Sequence, residues 1–252
     1  MKKLLVIFAL IFAVPSLNSM AQQNATAAQK IRFADQIEAY LKADQVKPPP
    51  NNTILFIGSS IFRRWEKLTE QMAPLPVFNR AFGGSQTHEI LAYMDKIVLP
   101  YKPKMIVYYC GSNDINANVT PLNIAGNFKE FVARVHQELP QTQIFYVAIN
   151  RAPQKIDKWK EVDETNNLVK AFCATNKTLG FIDVNPALFD KAGQPRIDLY
   201  LPDKLHFQEP AYAEFTAIIK PVIEKAWKKA TPFLPRKPTT DSLQLETQHG
   251  QK

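Results

Sequence analysis

Cysteine is close to absent: Cys110 and Cys173 are the only two in 252 residues, and neither sits in a CxxC pair or beside histidines. A structural zinc site, which needs four converging soft ligands, and a disulfide-dense scaffold are both excluded, and no metal ligand set is expected elsewhere. No glycine-rich run leads into a Walker lysine, so a phosphate loop of that kind is missing. A GxSxG motif, the nucleophile elbow of the α/β-hydrolase fold, does not occur. The formal charge is +8, but lysine and arginine are spread along the chain rather than gathered into a stripe interleaved with aromatics. A nucleic-acid partner is therefore not expected. There is no internal repeat.

What is present is the make-up of one globular domain, 46% hydrophobic and 21% charged. Lys2 and Lys3 precede an apolar run from Leu4 to Val14, followed by Pro15 and a polar stretch ending Ser19-Met20-Ala21. That run is too short to cross the roughly 30 Å of a bilayer core, and small residues stand where a signal peptidase cleaves. Residues 1–21 read as a signal peptide, with an uncleaved anchor as the rival. No cysteine follows to accept a lipid. The mature chain would begin near Gln22, be periplasmic or secreted, and have no stable membrane insertion. In such an oxidising compartment a Cys110–Cys173 bridge and two buried thiols are both open.

Residues 22–52 hold a helix, read from the spacing of Ile31, Phe33, Ile37, Tyr40 and Leu41 between Ala27 and Asp44, and a lead-in ending Pro48-Pro49-Pro50. From 53 to 230 short apolar runs alternate with amphipathic ones. Strands are expected at Thr53–Gly58, Val77–Phe82, Met105–Cys110, Gln143–Ile149 and Gly180–Val184. Thr120 and Pro121 mark a helix start, and a last helix covers Ala211 to Lys229, kinked or restarted at Pro221. Continuous apolar strands alternating with helices mean a parallel sheet covered on both faces. Residues 231–252 turn polar and proline-rich and read as a flexible tail.

In such a sheet the residues just after each strand carry the chemistry. The first strand ends Gly58-Ser59-Ser60, the second Asn79-Arg80-Ala81-Phe82-Gly83-Gly84, the third Gly111-Ser112-Asn113-Asp114, and Asp203-Lys204-Leu205-His206 comes late. Singly, each has a plain explanation: a helix cap, a turn, an Asx turn, a chance spacing. Together they supply what acyl transfer needs. A serine hydroxyl requires an imidazole to take its proton, and the imidazole requires a carboxylate to hold its tautomer. Backbone N–H groups of Ser60 and Gly84 and the amide of Asn113 are candidates to hold a developing oxyanion. The other histidines, His88, His136 and His249, read as surface groups.

Those four ordered blocks resemble the SGNH hydrolases, the GDSL-type esterases and lipases, from about Ile54 to Ile223. The resemblance implies a three-layer α/β/α flavodoxin-like fold with a five-stranded parallel sheet in the order 2-1-3-4-5. It implies Ser60 as nucleophile, Asp203 and His206 as its partners, Ser60, Gly84 and Asn113 as oxyanion donors, and no cofactor. The phrase Asn79 to Gly84 is similar to one secreted branch. Departures are Ser59 where the family name has Asp, Lys204 in place of the commoner Gly after the catalytic Asp, and Ala211 in place of a Gly before Tyr212.

The expected activity is an exported serine esterase acting on a small-molecule or carbohydrate ester, with a short-chain or O-acetyl acyl group because no long apolar insertion offers a lid. Arg80, Asn150, Arg151, Lys155 and Trp159 are candidates to meet the alcohol half. Lysophospholipase and thioesterase activities lie within the same family. A decayed hydrolase scaffold that only binds, and a flavodoxin-like anion-binding module built on Gly58-Ser59-Ser60, are the alternatives from other classes.

Overall fold

The computed structural model describes residues 31–50 and 52–229. The signal segment 1–21 and the tail 231–252 lie outside them, as do residues 27–30 of the expected first helix. In chain order the main elements are α1 (Ala34–Val46), β1 (Ile54–Gly58), α2 (Ser60–Arg63), α3 (Leu68–Met72), β2 (Val77–Asn79) and α4 (Thr87–Ile97). There follow β3 (Met105–Tyr109), α5 (Ser112–Asn116), α6 (Pro121–Glu138), β4 (Gln143–Val147), α7 (Trp159–Cys173), β5 (Leu179–Ile182) and α8 (Glu209–Lys229).

The five strands form one all-parallel sheet in the order β2-β1-β3-β4-β5. Every residue of β1 and β3 is buried, which is why these strands read as unbroken apolar runs rather than as alternating ones. Alternate residues still feed different layers. Leu55, Ile57, Ile106, Tyr108, Ile144 and Tyr146 pack with Ile37 of α1, Ile90 of α4, Phe128 of α6 and Val169 of α7. Phe56, Val107, Tyr109 and Val147 pack with Phe62 of α2, Met72 of α3 and Phe215 of α8.

Several strands stop earlier than their apolar runs. At β2 the cause is local: Asn79 Oδ1 accepts the Ala81 N–H at 2.9 Å and Asn79 Nδ2 donates to the Phe62 carbonyl at 2.7 Å. Those side-chain bonds turn the chain at the sheet edge, while the Arg80 and Phe82 N–H groups still donate to the Phe56 and Gly58 carbonyls of β1. Thr120 caps α6 through the Asn123 N–H, with Pro121 in the first turn where its missing N–H costs nothing. Helix α8 runs through Pro221 without a break. The proline lies on the exposed side, opposite Phe215, Ile219 and Ile223. The two thiols are buried and free, and burial pushes Cys173 up to about 12 and Cys110 well above its ordinary value. Neither is a thiolate at neutral pH.

Helix α1 begins at Ala34, so that residues 31–33 of the expected helix lie outside it, and it forms a strap over the loop that follows β2. Phe33 packs against Gly83, where a β-carbon would stand 2.1 Å from the ring. Gln36 Oε1 accepts the Gly83 N–H at 3.1 Å, Tyr40 donates its hydroxyl to the Ala81 carbonyl at 2.6 Å, and Arg32 Nη2 donates to the Gly84 carbonyl at 3.2 Å. Arg80, offered by the sequence as a substrate contact, is engaged here instead. Its guanidinium pairs with Asp44 and lies over the rings of Tyr40, Phe78 and Tyr101. A charge this well paired and stacked fastens α1 to the sheet edge.

Candidate active site

Ser60 opens α2 two residues beyond the end of β1 proper, at the carboxyl rim of the sheet. The turn needs Gly58. Its φ is +154°, and a β-carbon would lie 2.0 Å from the Tyr109 carbonyl oxygen, so β1 and β3 approach more closely than a side chain permits. Ser59 is extended and buried, and its N–H donates to that same carbonyl at 3.1 Å. Ser60 is thereby left half-exposed on the rim.

The loop before α8 returns over this position. Asp203 Oδ1 accepts the N–H groups of Leu205 at 3.0 Å and His206 at 2.9 Å, which winds the loop into a tight turn. Its other oxygen lies 2.7 Å from His206 Nδ1, and His206 Nε2 lies 3.0 Å from Ser60 Oγ. An ionised carboxylate only accepts, so Nδ1 carries the proton and Nε2 presents its lone pair to the serine hydroxyl. Burial alone would raise the Asp203 pKa. The bonds from the His206 ring and from the two backbone N–H groups outweigh it and hold the carboxyl down at about 2. The three side chains thus form a continuous relay, Asp203 to His206 to Ser60, able to withdraw a proton from the hydroxyl.

Two departures from the family pattern have local explanations. Lys204 has φ +54°, the left-handed conformation in which a glycine costs least, and it satisfies the turn by donating its N–H to the Leu201 carbonyl at 2.8 Å. A Lys204→Gly variant is expected to be more stable than the natural chain by about 0.5–1 kcal/mol, the left-handed cost of a side chain less the entropy cost of glycine. A raised denaturation midpoint in urea checks this; a lowered one contradicts it. Ala211 is fully buried in the first turn of α8. Beside it Tyr212 donates its hydroxyl to the Ile61 carbonyl at 2.9 Å, tying α8 to the helix that carries Ser60. The sequence carries no signal for that contact, which spans 151 positions.

Gly84 and Asn113 meet across the same rim. A β-carbon on Gly84 would stand 3.8 Å from both terminal atoms of the Asn113 side chain. One Asn113 amide proton goes to the Ser85 carbonyl at 3.1 Å, which leaves the second unspent. The N–H groups of Ser60 and Gly84 take no acceptor among the described residues. Neighbouring bonds hold the loops together. Ser85 Oγ donates to the Gly58 carbonyl at 3.2 Å, and buried Asp114 accepts both the N–H and the hydroxyl of Thr87 at the start of α4. The Asp114 carboxyl is raised by burial and partly restored by those bonds.

The remaining candidates separate. Arg151 makes a two-pronged pair with Asp163, at 2.6 and 2.7 Å, and Trp159 Nε1 donates to the Ala152 carbonyl at 2.9 Å. Both line a cavity of about 510 Å³ whose walls include Phe181, Asp183 and Phe189. Asn150 is fully buried and accepts the Tyr109 hydroxyl, and Lys155 is buried beneath Ser112, so neither is presented to a ligand. Arg80 is spent on Asp44. Of the other histidines, His136 is half-buried with Nε2 at 2.9 Å from the Thr142 carbonyl, not a solvated surface group. Among the described residues no three His, Cys, Asp or Glu side chains converge as metal ligands, and no helix is long and apolar enough to cross a membrane.

Known proteins with this architecture bear on the assignment. No curated protein matches the chain by sequence. Among solved structures, a GDSL-like lipase from Bacteroides thetaiotaomicron superposes with TM-score 0.66 at 19% identity, over 75% of this chain and 98% of that one. A lipase/acylhydrolase from Enterococcus faecalis gives 0.58 at 18% identity, over 72% and 99%. A carbohydrate esterase family 3 protein from Talaromyces cellulolyticus gives 0.59 at 15% identity, over 71% and 99%. At these identities the likeness is one of fold. The family model for GDSL-like lipases and acylhydrolases matches residues 53–214, a stretch that contains every residue of the Ser60, Gly84, Asn113 and Asp203–His206 rim, and the chain belongs to that family of ester hydrolases.

Proposed function

We propose that the protein is an exported serine esterase that cleaves a short acyl group, such as an O-acetyl, from a small-molecule or carbohydrate alcohol through a seryl-acyl intermediate. The observation that carries this reading is the unbroken relay from Asp203 Oδ2 through His206 to Ser60 Oγ, with both links at 3.0 Å or less. His206 takes the Ser60 proton as Oγ attacks the ester carbonyl. The developing oxyanion is held by the N–H groups of Ser60 and Gly84 and the free amide proton of Asn113. His206 then gives its proton to the departing alkoxide, and water reverses the sequence to release the acid. An intact relay disfavours a decayed scaffold, and a sequence without a glycine-rich run leading to a Walker lysine disfavours an anion cradle.

A space lined by aromatic rings together with charged and amide side chains suits a sugar-like alcohol half. The cavity beside Arg151 and Trp159 lies after β4 and β5, about 10–15 Å along the rim from the end of β1 by strand spacing. That placement supports a carbohydrate alcohol. The test is acetate release from p-nitrophenyl acetate and from acetylated oligosaccharides, with lysophospholipid and acyl thioester as comparisons. Turnover of the last two alone would overturn the substrate reading.

Asn113 provides a sharper check. Asn113→Ala is expected to lower kcat roughly 100- to 1000-fold with little change in KM and a melting temperature only slightly reduced. A purely structural asparagine would lower stability without selecting the chemical step. Export rests on Lys2, Lys3, the Leu4–Val14 run and Ser19-Met20-Ala21. Expression with the native leader should yield a periplasmic or secreted product beginning near Gln22, and a mature protein retaining Met1 would refute it.

A further inference from the structure

Lys155 is the one buried lysine among the described residues, at 2% exposure, and the mechanism above does not use it. It sits in the tight turn Pro153–Lys158 after β4, where its own φ of −121° and ψ of 33° interrupt the helical geometry. Its Nζ donates to the Ser112 carbonyl at 2.6 Å and to Ser112 Oγ at 2.7 Å. Ser112 opens α5 and directly precedes Asn113. The N–H of the preceding residue, Gln154, donates to the Lys204 carbonyl at 3.1 Å, inside the loop that carries Asp203 and His206. Two adjacent residues therefore hold two separate arms of the site.

Stability does not account for this arrangement. Burying an ammonium group is costly, and Lys155 has no carboxylate in ion-pair contact among the described residues. Burial lowers its pKa to about 8, and the charge of Asp114 opposes that shift. An apolar side chain of similar length would fill the same space more cheaply, whereas only a donor can hold both oxygens of Ser112.

We infer that Lys155 is a positioning residue which, with the Gln154 peptide N–H, clamps the Ser112-Asn113 turn to the Asp203–His206 loop and so fixes the oxyanion donor relative to the acid–base pair. The inference rests on the esterase reading above. Those arms follow different strands and share no direct hydrogen bond among the described residues. A donor misplaced by about 1 Å loses on the order of 100-fold in rate, so a clamp between them has a chemical consequence.

The test is Lys155→Met, which keeps length and volume and removes the donors. With p-nitrophenyl acetate, kcat is expected to fall about 10- to 100-fold while KM stays within about twofold. In an Asn113→Ala background the same substitution should cost less than about threefold, because the group it positions is already gone. Amide hydrogen exchange over Gly111–Asp114 should accelerate about tenfold while β1 is unchanged, a reading that does not depend on turnover. Should Lys155→Met fail to fold, Ser112→Ala keeps the lysine and removes one acceptor, and the same pattern is expected on a smaller scale. A folded variant with unchanged exchange, or with equal rate losses in both backgrounds, overturns the clamp. Labelling of the natural enzyme at Ser60 by a fluorophosphonate tests the esterase reading separately, so failure of one is distinguishable from failure of the other.

Discussion

Replacing Ser60 by alanine is expected to lower kcat roughly ten-thousand- to million-fold, leaving only what oxyanion donors and substrate positioning supply to attack by water. Fluorophosphonate labelling should vanish with it. The fold should persist, because what shapes the turn is Gly58 and the Ser59 N–H bond to Tyr109, neither of which involves the Ser60 hydroxyl. Mass spectrometry is the decisive measurement. An adduct on Ser59, which is buried, or on Ser85, whose hydroxyl is committed to the Gly58 carbonyl, would sink the assignment.

The second large effect is expected at Asp203. Asparagine retains an oxygen to accept the Leu205 and His206 N–H groups, so the loop should keep its shape. Its amide nitrogen would then face His206 Nδ1 and donate to it. The imidazole proton moves to Nε2, where it blocks proton uptake from Ser60, and a loss of about 10⁴ in kcat follows. An Asp203→Asn enzyme within tenfold of the natural rate would show that the carboxylate is not needed to fix the tautomer. Acid behaviour gives a companion reading. The folded Asp203 carboxyl titrates at about 2 against an ordinary 3.8, so its stabilising bonds are fully present above the ordinary value and are lost as pH falls through the folded one. The stability gap between the natural chain and Asp203→Asn should therefore close as pH falls from about 4 to 2.

Much of the architecture was legible because the residues themselves are constrained. Strands buried on both faces must be apolar throughout, so β1, β3 and β4 stand out as runs, and Thr120-Pro121 can hardly be anything but a helix start. The candidate rim residues stand out because the acyl transfer proposed for them accepts few residue types and the parallel sheet says where to look for them. The misjudged residues are those whose partners are remote in sequence. Arg80 and Lys155 look like ordinary loop cations, and only tertiary packing assigns them Asp44 and Ser112, 36 and 43 positions away. Periodicity likewise extended α1 too far toward the N-terminus. It registers the apolar face of a helix, whereas the start is fixed by Phe33, which turns left-handed at φ 71° to seat its ring on Gly83.

The strap of residues 32–44 has a consequence for where this chain can be cut. The family model matches from residue 53, and the side chains of the preceding segment grip Ala81, Gly83 and Gly84. A chain begun at residue 53 would keep every reacting group and lose the outer wall of one of them, with Phe82 newly wetted and the Gly83 N–H and Ala81 carbonyl returned to solvent. Trimming the chain to residue 53 would therefore loosen the Gly84 loop without removing Ser60, Asn113, Asp203 or His206.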